Sequence, residues 1–237
     1  MNIIEPYAKL VGPDMPTDPF SEADGIRLLR RIEYFGRFSH ATEEAQTPES
    51  WRRFIPAVVM GHGDWSIVEH ATATVDMLVD RGITHEVVRH RLFSFTQSST
   101  RFINYAKKMP PSFIEPPGLT DDAARAGNGE QVELSTRQLW RHAISTSESS
   151  YRDLLAAGFA PQIARSVFPN ALASRIAVTG NLRNWRLFLL MRTTKEAHPQ
   201  MRRVTIPLLA EFKLKIPLLF DDIQPESRQI DNLRLPR

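Results

Sequence analysis

Three basic residues in succession, Arg89-His90-Arg91, open a stretch that runs through Ser94, Thr96, Gln97, Ser98, Ser99 and Thr100 to a closing Arg101. Small hydroxyl and amide donors between two cationic ends can surround an anion with O–H groups, N–H groups and a guanidinium fork, which is the chemistry of phosphate recognition. The triplet alone equally suits a solvated helix end, where positive charge complements the dipole. The hydroxyl run and the second basic end favour the anion-reading alternative. His85 and His90 flank Glu86 and invite a zinc-protease reading. Zinc would need those histidines four apart; at a spacing of five the second side chain is rotated roughly 140° from the first, so no metal site is expected. Phe93, Phe95, Phe102 and Tyr105 interleave the basic stretch, as on surfaces where nucleic-acid bases stack. Downstream, Leu187-Phe188-Leu189-Leu190-Met191 leads straight into Arg192 and should place that guanidinium near the core. A partly buried guanidinium there needs an anionic partner, which a bound ligand could supply. Arg165, Arg175, Arg183 and Arg186 also lie among apolar residues, with a surface-facing orientation as the default. His62, between Gly61 and Gly63, reads as a turn residue or a mobile gate.

The elements that must position these groups follow from periodicity and punctuation. Ser21 can cap a helix whose apolar positions are Ile26, Leu29, Ile32 and Phe35. A second helix starts at Thr47-Pro48-Glu49 and stops at Gly61-His62-Gly63. Between Ile67 and Leu78 the period becomes two, with Ala71, Ala73, Val75 and Met77 alternating against His70, Thr72, Thr74 and Asp76, which predicts a strand with one polar face. Residues 83–91 read as helix and 94–105 as loop. Pro110-Pro111 and Pro116-Pro117 bracket a short extended piece, and 118–129 reads as the most exposed and mobile segment. A long helix is expected over 130–157, closed by Gly158, and another begins at Pro161. Residues 172–179 suit a strand, 181–192 a Leu-rich helix, and 199–219 a last helix interrupted at Pro207 and Pro217.

At 237 residues and 42% hydrophobic content, the chain can bury one sizeable core, and a single domain over 1–237 is expected. The net charge is +3, from 30 basic against 27 acidic residues. No uniform field therefore draws the chain to nucleic acid or an anionic membrane, so anion preference must be local. No apolar run approaches the ~20 residues a bilayer span needs, and no signal segment is evident, so a soluble cytoplasmic protein is expected. Cysteine is absent, which excludes disulfides, thiolate metal sites and a cysteine nucleophile.

The run Arg89-His90-Arg91-Leu92-Phe93-Ser94, continuing through Gln97, Ser99, Thr100 and Arg101 to Asn104-Tyr105, resembles the signature of the flavin-dependent thymidylate synthases. Gly61-His62 with Ser66-Ile67-Val68-Glu69-His70, Ala164-Arg165 with Pro169, and Asn181 through Arg192 to Ala197 resemble the family's other elements, so the likeness covers about residues 37 to 203. The resemblance implies an α/β fold with a small mixed sheet flanked by helices, assembled as a homotetramer with flavin sites shared between subunits. It implies conversion of dUMP to dTMP, with methylenetetrahydrofolate supplying the carbon and FAD carrying reducing equivalents from NADPH. The missing cysteine fits independently, because this chain cannot attack uracil with a thiolate and would have to activate the pyrimidine by charge.

By the same resemblance, Ser66, Arg89, His90, Arg91, Gln97, Asn181 and Arg183 would hold FAD. Glu86, Arg89, Gln97, Ser98, Ser99, Thr100, Arg101, Arg165 and Arg192 would hold dUMP. Arg192 would be the catalytic group, a fixed cation where negative charge develops as the uracil N3 proton is lost. Several positions depart from the family pattern: Ser98 stands where glutamate is common, Phe102 where tyrosine is usual, His198 where glutamine is frequent and Leu187 where the residue is often polar. Two extra residues lie between His62 and Glu69. Two rival readings stay open, a single-stranded nucleic-acid binder using the same basic and aromatic residues, and a flavoprotein of this fold with altered activity.

Overall fold

The computed structural model describes residues 1–125 and 131–226. The chain opens with β1 (Asn2–Ile3) and β2 (Tyr7–Leu10). In α1 (Glu22–Phe38) the Ser21 hydroxyl accepts from the Asp24 N–H while the Asp24 carboxylate accepts from the Ser21 N–H, a reciprocal cap that satisfies two otherwise orphaned donors. The second helix begins as α2 (Trp51–Phe54) and continues as an eight-residue π-helix, Ile55–His62, stopped by Gly63 at φ 85°.

β3 (Thr72–Asp80) is preceded by a 3-10 turn, Trp65–His70. The strand thus starts later than the alternation suggested, because Ile67 and Val68 are adjacent apolar residues of which only Val68 is buried. α3 (Arg81–Val87) ends before residue 91 and is capped by Asp80, whose carboxylate accepts from the Ile83 N–H at 2.7 Å. Part of the expected loop is strand β4 (Ser94–Gln97). It lies at the edge of the sheet ordered β2-β3-β8-β4, so it is specified by its partner rather than by an apolar face of its own. β5 (Ser112–Phe113) pairs in parallel with β1.

β6 (Ala123–Arg125) pairs antiparallel with β7 (Gln131–Ser135). The described part of 118–129 is therefore not all loop, and its remainder, 126–129, lies outside the described residues, as does residue 130 where the long helix was expected to start. That helix is α4 (Thr136–Ala156), which starts after β7 because Ser135 and Gln138 form its capping box. Gly158 follows at φ 89°. Then come α5 (Pro161–Ala164), a 3-10 turn Arg165–Val167, β8 (Ala173–Asn181), α6 (Leu182–Arg192) and α7 (Pro199–Lys215). α7 runs through Pro207 without ending; the hydrogen bond the proline forgoes is outweighed by burial of Val204, Leu208, Leu209 and Phe212 around it.

The architecture is α/β, and the small sheet flanked by helices is antiparallel rather than mixed as expected, because the parallel pairing of β1 with β5 forms a separate two-stranded sheet. Two links show the sense of β3 against β8: the Thr74 and Thr179 hydroxyls bond at 2.8 Å, and the Leu182 N–H donates to the Ala71 carbonyl. The chain groups into two compact units. One comprises Met1–Pro6, Leu78–Glu86 and Gln97–Ile176, and the other Tyr7–Met77, Val87–Thr96 and the chain from Ala177 onward.

The first unit packs Tyr105, Phe113, Ile144, Tyr151, Ala164 and Leu172 together. The Tyr151 and Phe168 rings stack at 4.4 Å, and Ser147 of α4 donates to the Val167 carbonyl, which anchors the turn bearing Arg165. The second unit centres on Trp185 of α6, fully buried, whose indole N–H donates to the Ala73 carbonyl of β3 at 3.0 Å. Phe93 and Phe212 flank it at 4.7 and 5.5 Å. α1 meets the end of α7 backbone to backbone at Gly25, where a Cβ would stand 1.7 Å from the Lys215 carbonyl oxygen, so only glycine fits there.

Candidate active site

Of the residues singled out by sequence, Glu86, Gln97, Ser98, Ser99, Thr100, Arg101 and Arg165 belong to the first unit. Ser66, Arg89, His90, Arg91, Asn181, Arg183 and Arg192 belong to the second.

In the first unit the segment after β4 is closed by its own hydrogen bonds. The Ser98 N–H donates to the Arg175 carbonyl, and the Ser99 carbonyl accepts from the N–H groups of Phe102 and Ile103. The Ser99 hydroxyl accepts from the Arg101 N–H. Two guanidiniums are tied across this loop in opposite directions. Arg165, on the turn after α5, donates to the buried Thr100 hydroxyl at 3.0 Å, while Arg101, on the loop, donates to Gln162 of α5 at 3.1 Å. Arg101 also lies over the Phe102 ring at 5.3 Å. Both arginines remain exposed, so two anchored cations are presented to solvent, an arrangement suited to a phosphate. Gln97 has a different role in placing this loop, since its amide nitrogen donates to the Thr84 and Ser174 hydroxyls at 3.0 and 2.9 Å. Glu86 is half-buried at the end of α3.

In the second unit the central contact joins the basic triplet to the end of α6. The Arg192 Nε–H donates to His90 Nε2 at 2.9 Å, which requires the imidazole to be neutral with its proton on Nδ1. Burial, and secondarily the Arg192 charge, push the His90 pKa down to about 4. The ring is held edge-on by Phe188 at 4.8 Å and Phe93 at 6.4 Å. Phe93 can occupy that place because Gly180 lacks a side chain; a Cβ there would lie 2.4 Å from the phenyl ring. The Arg192 carbonyl accepts from Thr205 of α7 at 2.7 Å, fixing the helix end as well. The sequence placed Arg192 near the core, and it is indeed half-buried.

This contact predicts an acid-side loss of stability. Below pH 6.5 the unfolded chain takes up a proton at His90 that the folded chain refuses until about pH 4. Stability therefore falls as pH drops through that window, by on the order of 1–2 kcal/mol from this residue once solvent screening of a half-buried ring is allowed for. Denaturant titrations from pH 7 to 4 of wild type and His90→Gln measure it, and the variant should lose that component of the slope.

Arg89 and Arg91 are exposed, as is Ser66 in the 3-10 turn before β3. Arg183 is bonded to Glu69 at 2.6 Å. Arg186 was expected to face the surface, yet its guanidinium is bound by Asp222 and the Leu219 carbonyl and packs over Trp65 at 4.9 Å. A cleft of about 580 Å³, bordered by Trp65, Glu69, Asn181, Arg183 and Leu187 among others, is of a size typical of small-molecule sites. Its walls combine an aromatic face, leucine side chains, an ion pair and amides, which suits a ring-bearing ligand.

Asn181 has a structural task beside any ligand contact, because its Oδ1 accepts from the Asn184 N–H at 2.8 Å and caps α6. Asn184 in turn donates to the Leu92 carbonyl at 3.1 Å, next to the basic triplet. Asn181→Ala should lower stability by about 1 kcal/mol, whereas Asn181→Asp keeps the cap oxygen and should restore most of it; thermal denaturation of the two variants separates capping from ligand binding.

Sequence reading did not single out Glu69, Trp65, Asn184 or Gln162 as partners of the basic groups. Gln162 carried a weak signal, three residues before Arg165 and just after the helix-starting Pro161. The aromatic residues divide: Phe93 and Tyr105 are core, whereas Phe102 is 73% exposed. Among the described residues no cluster of three or more potential metal ligands occurs, and no helix is long and apolar enough to cross a membrane.

The fold is shared with the UMP/dUMP methylase PolB of Streptomyces cacaoi, solved with 5-Br dUMP bound, at a TM-score of 0.68 and 22% identity over 93% of this chain and 95% of that one. The family model described as thymidylate synthase complementing protein matches residues 27–218. The flavin-dependent thymidylate synthase of Corynebacterium efficiens is 34% identical over 215 residues, 87% of this chain and 83% of the relative. The enzyme of the same name from Mycobacterium tuberculosis is 32% identical over 225 residues, 91% of this chain and 86% of the relative. The chain belongs to the thymidylate synthase complementing protein family.

Proposed function

We propose that this protein is an FAD-dependent thymidylate synthase that converts dUMP to dTMP, with methylenetetrahydrofolate as carbon donor and NADPH as reductant. The observation that carries this reading is Arg192, a half-buried guanidinium anchored at 2.9 Å to a neutral histidine in a chain without cysteine. A cation so fixed can stabilise the negative charge that develops on uracil as its N3 proton leaves. In this scheme Arg101 and Arg165 take the nucleotide phosphate, while Glu86, Arg89, Gln97, Ser98, Ser99 and Thr100 shape the rest of the dUMP site. Ser66, Arg89, His90, Arg91, Gln97, Asn181 and Arg183 hold the cofactor, and the cleft beside Asn181 and Arg183 has room and polarity for part of it. FAD, once reduced by NADPH, would supply the hydride that the charge-activated pyrimidine receives. The reading further includes one catalytic domain over 1–237, a cytoplasmic homotetramer with active sites shared between subunits, and neither metal nor nucleic acid as partner.

The test is direct. Purified protein should be yellow or take up FAD, its reduced flavin should be oxidised in a dUMP-dependent manner, and dTMP should accumulate with all substrates present. A colourless protein that binds oligonucleotides and no FAD sinks the reading. Flavin oxidation without dTMP points instead to a flavoprotein of altered activity.

A further inference from the structure

We infer that His90 is a positioning residue for Arg192, acting as a hydrogen-bond acceptor through Nε2, rather than serving only as a cofactor contact. The inference rests on the reading of Arg192 as the activating cation. Its basis is geometric. An arginine on a long flexible stem can stabilise developing charge only if its orientation is settled before reaction. Here the Nε–H of Arg192 is committed to His90 at 2.9 Å, which fixes the plane of the guanidinium.

The imidazole is itself over-determined. Phe188 and Phe93 meet it edge-on, Phe93 is seated against Gly180 and Trp185, and the Arg192 main chain is bonded to Thr205. A histidine used this way must stay unprotonated, since an imidazolium has no lone pair to offer and would repel the guanidinium. Burial and the Arg192 charge both act in that direction. Because Nε2 is occupied by Arg192, only the Nδ1–H side of His90 is left for a ligand, which narrows what this member of the triplet can contact.

Two variants separate the role from simple packing. His90→Phe keeps a ring but removes the acceptor; His90→Gln sets an amide oxygen close to where Nε2 lies. His90→Phe should lower kcat by roughly 30- to 100-fold while KM for dUMP changes less than about threefold, the pattern of a lost transition-state interaction. His90→Gln should recover most of that loss. A His90→Phe enzyme with near-wild-type kcat, or a His90→Gln enzyme as impaired as His90→Phe, overturns the inference. Histidine 15N NMR of the wild-type protein, with the His90 signals assigned by their absence in His90→Gln, tests the contact without any activity. A protonated Nδ1 and an unprotonated Nε2, unchanged from about pH 6 to 9, are expected. An Nε2–H tautomer or a titration in that range overturns the inference. If wild type makes no dTMP, the functional reading fails, and the NMR result still decides the contact.

Discussion

Arg192→Ala should leave the protein yellow and able to bind FAD while turnover falls by roughly 10²- to 10³-fold, the loss that follows removal of one preorganised group facing developing charge. Half-buried, with its Nε–H bonded to His90 and its carbonyl bonded to Thr205, the side chain can be truncated without disturbing the helix end that bears it. Arg192→Lys should restore little of the loss. An ammonium keeps the charge but lacks the planar fork that can donate to His90 and to a ligand at once. Steady-state dTMP formation, alongside the flavin absorbance spectrum of each variant, reads out both properties. Activity near that of wild type in Arg192→Ala would assign the activating role elsewhere.

Arg101→Ala should weaken dUMP binding by about 1.5–3 kcal/mol, or roughly 10- to 150-fold, while FAD content is kept. The side chain is exposed, bonded at Nε to Gln162 and laid over the exposed Phe102 ring, so its loss should cost little stability. Calorimetric titration with dUMP and with deoxyuridine isolates the phosphate. The dUMP affinity should fall, and the weak affinity for the nucleoside should not. An unchanged dUMP affinity would remove Arg101 from the phosphate site.

Much of this arrangement was legible in the sequence where a local rule sets the outcome. Ser21 and Gly158 marked helix ends because caps are local chemistry, and the apolar run before Arg192 foretold a guanidinium near the core. The absence of cysteine removed a whole class of mechanism. What escaped was set by partners distant in the chain. β4 looked like a loop because its pairing belongs to β8, and Arg186 looked like a surface residue because Asp222 and Trp65 are far from it in sequence. The His90–Arg192 bond spans 102 positions, and no periodicity in either segment announces it. The resemblance assigned both residues to the site but could not say that one holds the other.

The opposed ties of Arg101 to Gln162 and of Arg165 to Thr100 have a consequence for the timing of the reaction. A grip on the phosphate engages the one part of the nucleotide that methylation leaves untouched. Substrate and product are therefore retained alike, and such uniform binding raises occupancy without lowering the chemical barrier. For the proposed synthase, dTMP would then compete with dUMP for the same phosphate grip.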